Sequence, residues 1–327
     1  RVDEAKPRPE TQGRLVAGRS RISRRISTVG HQRVMTHVIA ICGDLHCGST
    51  VGLCPPEGME LDDGGLYEPS PAQRWLWDCW EQSWAIAKSY SRGKHLSLIL
   101  NGDLIDGDHH RTAQIASPLT GIHLGCAMES LRVPLALKPK AIHVLRGTPS
   151  HSGRSGSSEE AVAHALRDMS WPIIKDPETD KFSSYRRRLD IGNVRLDLSH
   201  HGRMGQRAHT RGSYSRLYGF DIWAEQMLET YTAMRHSDDP LKIFNERRPP
   251  DIAVRSHNHK YMDTGFDHRG ITRVISAPAF QLATEWIHRI AAESLADIGI
   301  ILLGVNEHEI EVKPVLFTPD RPKPLTI

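Results

Sequence analysis

The sequence predicts an α/β fold, and three observations carry that expectation. Short apolar, β-branched segments recur along the chain, each ends in a polar tip bearing Asp or His, and segments with helical periodicity lie between them. The tips at Asp44, Asp103, His151, His201 and His257 follow one another at gaps of 59, 48, 50 and 56 positions. Each gap is long enough for a βαβ-type unit. Folds of this class place ligands at strand ends, so tips of this composition mark a candidate site.

Residues 1–34 are rich in Arg, Ser, Gly and Pro and lack apolar periodicity, which predicts a disordered basic leader ahead of one domain over 35–327. A transit peptide and translated sequence upstream of Met35 are the other readings of that leader. His37–Cys42 reads as the first buried strand and delivers Gly43-Asp44 to its C-terminal edge. Residues 48–70, with Gly, Pro and Asp throughout, read as a long loop. Ser70-Pro71 forms an N-cap and first-turn pair for a helix through Tyr90, with Trp77, Trp80, Trp84 and Ala87 at helical spacing. Leu96–Leu100 is a strand ending in Asn101-Gly102-Asp103, Cys126–Leu137 a helix, and Ala141–Leu145 a strand ending in Arg146-Gly147. Ser157 and Glu160 have the spacing of a capping box, which predicts a helix through Met169. Val194–Leu198 is a strand running into His200-His201-Gly202, 213–236 a long helix, and Asp251–Val254 a strand before His257-Asn258-His259. Later strands are expected at 271–276, 299–304 and 309–317, and no internal repeat is visible.

Composition narrows the function classes. A chain of 327 residues with 39% hydrophobic and 25% charged content can bury a core without disulfides or a structural metal, which leaves histidine and cysteine free for chemistry. No apolar run approaches the ~18 residues of a membrane helix, so no membrane partner is expected. The cysteines (Cys42, Cys47, Cys54, Cys79, Cys126) are odd in number and form no C-x-x-C pair, which argues against a disulfide framework or a zinc ribbon and predicts a reducing, cytoplasmic location. The formal charge is +3, but the first 34 residues hold nine Lys/Arg against three acids, so they carry +6 and the remainder −3. Nucleic-acid binding by charge alone is therefore not expected of the folded part, and the run Arg19 to Arg25 is the segment that would favour it.

The tips supply Asp44, His46, Asp103, His201, His257 and His259. Carboxylate and imidazole donors suit divalent ions such as manganese, zinc and iron, and a pair of ions needs a shared carboxylate to screen their repulsion. Asp44-x-His46 and His257-x-His259 lie on turn or extended segments, where residues one apart can point the same way.

The motifs Gly43-Asp44-Leu45-His46, Gly102-Asp103-Leu104-Ile105-Asp106, Gly147-Thr148-Pro149-Ser150-His151, His200-His201-Gly202 and Ser256-His257-Asn258-His259 resemble, in that order, the signature of the calcineurin-like metallophosphoesterase superfamily. That signature is D-x-H, G-D, G-N-H-[DE], H and G-H-x-H, and the likeness spans roughly residues 38–280, with most resemblance to phage and prophage versions. It implies a four-layer αββα sandwich of two mixed β-sheets flanked by helices, with the metal site at strand C-terminal ends. It also implies two divalent ions (Mn, Zn, Fe or Ni), a phosphate mono- or diester substrate and attack by a metal-bound hydroxide. Carried over motif by motif, Asp44, His46 and His259 hold the first metal, His201 and His257 the second, and Asp103 bridges them. His151 matches the family histidine that touches substrate, and His200 is the alternative to His201. Two departures stand out: Ser256 replaces the Gly before the last motif, and Thr148 stands where the family has an Asn ligand, with two extra residues before His151. Thr148, Ser150 or a water would then complete the second metal, which is expected to bind more weakly.

Other residues carry two readings each. Asp106, His109 and His110 line the substrate pocket or belong to a solvated loop. Arg146 and Arg255 bind phosphate or pair with a buried carboxylate. The Trp75, Trp77, Trp80 and Trp84 cluster is expected in the core rather than stacked on nucleobases, and Cys42 and Cys47 as packed residues rather than ligands. A nuclease acting on DNA or RNA is the rival enzyme. A catalytically inactive interaction scaffold is the rival from another class, and it should have lost ligands.

Overall fold

The first strand, β1 (His37–Cys42), alternates between two cores: Val38, Ala40 and Cys42 face one, Ile39 and Ile41 the other. A computed structural model describes residues 35–109, 112–205, 208–291, 294–306 and 309–319. After β1 come β2 (Met59–Glu60), β3 (Leu66–Tyr67), α1 (Pro71–Tyr90), β4 (His95–Asn101), α2 (Thr120–Leu135), β5 (Ala141–Leu145), α3 (Pro149–Ser152) and α4 (Ser157–Asp168). Then follow β6 (Ser183–Ser184), β7 (Arg186–Ile191), β8 (Val194–Ser199), α5 (Ala208–Met234) and α6 (Pro240–Arg247). The series ends with β9 (Ile252–Arg255), β10 (Met262–Asp263), β11 (Arg273–Ser276), α7 (Glu285–Ile290), β12 (Ile298–Val305) and β13 (Ile310–Phe317).

Two large mixed sheets result. The first has six strands in the order β13-β12-β1-β4-β5-β6, with β1, β4, β5 and β6 parallel and β12 and β13 antiparallel at the other side. The second has five in the order β10-β11-β9-β8-β7, parallel at its centre and antiparallel at both edges. Between the sheets pack Ile39, Ile41, Ile99 and Leu145 against Leu196, Leu198, Ile252, Val254 and Ile275. Helices α1, α2 and α4 cover the far face of the first sheet, where Trp80 meets Trp84 and Phe280 edge to face at 5.3 and 4.7 Å. Helix α5 covers the far face of the second: its Gly219 comes so close to β11 that a Cβ there would lie 2.4 Å from Thr272 O. Helices on both outer sides of two mixed sheets are the predicted architecture.

Local rules explain most boundaries. Ser70 Oγ accepts from Gln73 N at 3.2 Å, and Gln73 Oε1 accepts from Ser70 N at 3.1 Å, a reciprocal cap with Pro71 in the first turn of α1. The tryptophans Trp77, Trp80 and Trp84 are buried, and Trp80 Nε1 donates to Ser130 O at 3.0 Å. The expected cap at Ser157 and Glu160 does not form. Gly156, in a left-handed conformation, precedes α4, and the Glu160 carboxylate instead accepts from Phe182 N and Ser183 N, which anchors β6. Residues 48–70 are not all loop, since β2 and β3 pair within them. Strand β7 went unpredicted because its RRRLDI alternates charged residues outward at a sheet edge. Contacts divide the chain into Arg1–Arg33 and Val34–Ile327. The expected basic leader, with its Arg19 to Arg25 run, lies outside the described residues. Among the described residues no helix is long and apolar enough to cross a membrane.

Candidate metal centre

Backbone contacts tie the strand ends together. Asp44 N donates to Gly102 O at 2.9 Å and His46 N to Asp103 O at 3.1 Å, so the tips after β1 and β4 run side by side. Glycine provides the clearance: a Cβ at Gly102 (φ 83°) would stand 2.6 Å from His200 Nδ1, and one at Gly147 would stand 2.1 Å from Asp103 Oδ1. Nine described non-glycine residues have positive φ, and five are Asp44 (51°), His46 (46°), Asp103 (49°), His257 (71°) and His259 (50°). Such a conformation costs roughly 1–3 kcal/mol per residue and persists where surrounding contacts over-determine it, a pattern that clusters at functional sites.

The side chains from these tips converge. Asp44, His46 and His259 form one group: His259 Nε2 lies 3.2 Å from Asp44 Oδ1 and 3.2 Å from His46 Nε2. His200, His201 and His257 form a second, and Asp44, Asp103 and His200 a third that joins them. His200 Nε2 is 3.0 Å from Asp103 Oδ2 and 3.8 Å from Asp44 Oδ1. The Thr148 hydroxyl stands among Asp103 Oδ2, His200 Nε2, His201 Nε2 and His257 Nδ1 at 3.0, 3.3, 3.2 and 3.0 Å, and Thr148 N donates to Asp103 Oδ1 at 2.6 Å. The Thr148 hydroxyl thus reaches imidazoles of His200, His201 and His257 alike.

The donors fit divalent cations on three grounds. Asp44 Oδ1 is buried and makes no hydrogen bond despite the imidazoles around it, a costly state for a carboxylate oxygen. His200 Nδ1 lies 2.7 Å from Asn101 O, and because a carbonyl only accepts, Nδ1 holds a proton there, which leaves Nε2 as the nitrogen that faces the cluster and would ligate a cation once it has lost its own proton. His46 Nδ1 lies 2.9 Å from Asp106 Oδ1, which orients Nε2 in the same way. Charge gives the third ground. Burial opposes charge on His46 and His200, but Asp106 and Asp44 push His46 up to about 10, and Asp103 and Asp44 push His200 up to about 9. Burial also works against ionised Asp44, Asp103 and Asp106, yet the neighbouring histidines hold all three below the usual carboxylate range. Burial and the charge of His200 depress His257 to about 4. Buried carboxylates here demand positive charge, which protons on histidine or metal cations can supply.

Asp106 corrects the solvated-loop reading, being 2% exposed at the back of the cluster. Its carboxylate meets His46, Gln281 Nε2 at 3.3 Å, His151 Nδ1 at 3.5 Å and His109 Nε2 at 3.5 Å. His151 Nδ1 donates to Asp106 O at 2.7 Å, and its ring packs edge-on against His46 with centroids 4.6 Å apart. His151 thus lies beside the cluster. His110 lies outside the described residues. Arg146 takes the salt-bridge reading, with Nε donating to Ser183 Oγ at 2.9 Å and a guanidinium nitrogen 3.8 Å from Glu160. Arg255 does likewise: buried, it meets Asp197 Oδ2 at 3.2 Å. Cys42 and Cys47 are buried, and Cys47 Sγ lies 3.8 Å from Ser130 Oγ within the helix-side core. Two contributors escaped the sequence. Gln281 carries no motif and is 175 positions from Asp106, and Asn101 donates to Ser256 Oγ at 2.6 Å, which gives the unusual serine a partner. A cavity of about 410 Å³ opens beside His201, lined by Gly202, Arg203, Tyr218, Asp221, Ile222 and Glu225.

No protein-family model matches the chain, and no curated protein matches it significantly. Among solved structures, a single-substitution variant of Vps29 from Entamoeba histolytica aligns at 12% identity and TM-score 0.34, covering 86% of this chain and 99% of that one. Vps29 from Chaetomium thermophilum aligns at 12% and 0.35 with the same coverages, 86% and 99%. The sulfate thiohydrolase SoxB from Thermus thermophilus aligns at 11% and 0.37, covering 86% of this chain and 57% of that one. TM-scores of 0.34 to 0.37 lie below the level at which function or a common fold follows.

Proposed function

We propose that the protein is a hydrolase of phosphate esters that works with two divalent ions, and the observation that carries this reading is the carboxylate pair Asp44 and Asp103, which meets His200 and, through Asp44, also His259, so that it joins two imidazole groups. Asp44, His46 and His259 would hold one ion, and His200, His201 and His257 the other, with the Asp103 carboxylate between them and Thr148 supplying a neutral oxygen. Two bound ions would supply Lewis acidity, activating water and neutralising charge on the phosphoryl oxygens. The chain's own residues do the rest. Asp106 fixes the ring of His46 and, through its carbonyl, the ring of His151. A protonated His151 held in this way offers Nε2–H toward a leaving oxygen. The strained backbone at five donors and the orphaned Asp44 oxygen favour a working centre over an inactive scaffold, in which such costs have no return.

The test is metal-free protein assayed with manganese, zinc, nickel or magnesium on nitrophenyl mono- and diesters and on single- and double-stranded DNA. Metal-dependent hydrolysis that vanishes in Asp103→Asn is the expected result. Tight metal binding without hydrolysis of any substrate would favour the scaffold. Cleavage of DNA alone would favour the nuclease.

A further inference from the structure

Helix α5 is amphipathic in the inverted sense. The residues it turns inward are small or polar: Ser215, Gly219, Gln226 and Thr230 are buried, with Ser215 Oγ donating to Arg211 O at 3.1 Å and Thr230 Oγ1 to Gln226 O at 2.7 Å. On the opposite side Tyr214, Leu217, Phe220, Leu228 and Tyr231 are 46 to 68% exposed. At about 100° per residue these five fall on one outward face, a stripe of roughly 25 Å along the axis. Single exposed apolar side chains are ordinary on a protein surface, but five on one helix face, three over 214–220 and two over 228–231, mark an interaction surface.

We propose that this stripe joins two copies of the chain, their α5 helices antiparallel about a twofold axis that passes between Ile222 and Trp223. About that point the two ends of the helix sequence match, with Tyr214 mirroring Tyr231, Leu217 mirroring Leu228, Ser213 mirroring Thr232 and Gly212 mirroring Ala233, and Arg216 meets the opposite charge of Glu229, while at the centre Phe220 mirrors Glu225 and Asp221 mirrors Ala224. An isologous interface requires such self-complementarity, and in the pair Tyr214 lies level with Tyr231 of the partner subunit and Leu217 with Leu228 of the partner subunit. The area is sufficient. At roughly half of the ~150–250 Å² that a large aromatic side chain buries, the five residues of each copy give ~1,000 Å² over the pair. The flanking Ser213, Arg216, Glu225 and Thr232 bring the total toward the ~1,200–2,000 Å² of a stable interface. Asp221, Glu225 and Glu229 near the stripe disfavour an anionic lipid surface or nucleic acid as the occupant. The adjoining flank, with Tyr218, Asp221, Ile222 and Glu225, lines the cavity beside His201, and none of the five apolar residues of the stripe does.

Sedimentation velocity of the full chain from about 1 to 100 μM is expected to show a species of twice the 36.7 kDa chain mass. The double variant Leu217→Arg with Leu228→Arg should be monomeric and folded, with an unfolding midpoint that no longer depends on protein concentration, since both residues face outward. A cross-linking pair keeps the test independent of those variants. Ala224→Cys, close to the axis, should be joined to its own copy by a short bismaleimide, whereas Tyr214→Cys, ~25 Å from its own copy at 1.5 Å rise per residue, should not. The native cysteines are buried and should not react. A monomer at every concentration, a dimer indifferent to the two arginines, or cross-linking of Tyr214→Cys in preference to Ala224→Cys would each overturn the proposal.

Discussion

His200 Nε2 stands 3.0 Å from Asp103 Oδ2, while the other nitrogen of the same ring is held 2.7 Å from the carbonyl oxygen of Asn101. His201, its neighbour in sequence, is exposed and touches Thr148 at 3.2 Å. The sequence preferred His201 because of the Gly that follows it, and the geometry brings both rings to the cluster with His200 the more firmly fixed. His200→Ala is therefore expected to lose about one metal equivalent and to lower kcat/KM at least ~100-fold. His201→Ala should cost less, ~10-fold, since among the described residues its ring has no fixed partner on the second nitrogen. Metal content by mass spectrometry and steady-state kinetics on both variants decide the order.

Asp106 touches three imidazoles and is buried, so its charge orients His46 from behind. Asp106→Asn keeps the shape and removes the charge. It should weaken metal binding by about 10–100-fold with the fold intact, as losses behind a metal ligand do. Calorimetric metal titration beside circular dichroism checks both halves, and unaltered affinity would confine Asp106 to packing.

His151→Ala should leave metal content unchanged and slow hydrolysis of alkyl or nucleoside esters by ~10²–10⁴, the usual contribution of a positioned general acid. Nitrophenyl esters, whose leaving group needs no proton, should suffer much less. Loss of metal from this variant would make His151 a ligand, and an equal loss on both substrate classes would assign it to charge stabilisation.

Far from the centre, His143 on β5 is 6% exposed, and burial together with the Arg187 charge lowers it to about 4. A histidine neutral in the folded chain and ordinary when unfolded, near 6.5, contributes stability above pH 6.5 that is lost as pH falls toward 4. The drop from 6.5 to 4 amounts to on the order of 3 kcal/mol. His143→Gln should flatten the stability profile of metal-free protein between those pH values by that amount relative to the parent. Parallel profiles for parent and variant would show that His143 titrates normally.

The strands and the site were legible in the sequence to different degrees, for physical reasons. Buried strands such as β1 and β4 announce themselves as apolar runs with abrupt polar ends, and α1 through its tryptophan spacing and Ser70 cap. The edge strand β7 hides its pattern behind arginines, and the Ser157 spacing misled because Glu160 finds better partners in β6. At the centre, motif order picked out side chains that the structure brings together, but the difference between His200 and His201 depends on which ring meets Asn101 O, a contact 99 positions away in sequence. Gln281 was invisible for the same reason.

Anomalous diffraction from manganese-soaked crystals tests the central claim most directly. Two peaks about 3.5–4 Å apart should flank the Asp103 carboxylate, one near Asp44, His46 and His259 and one near His200 and His257, the spacing of two-metal hydrolytic sites. Only one peak, or peaks away from Asp103, would contradict a centre built on two ions.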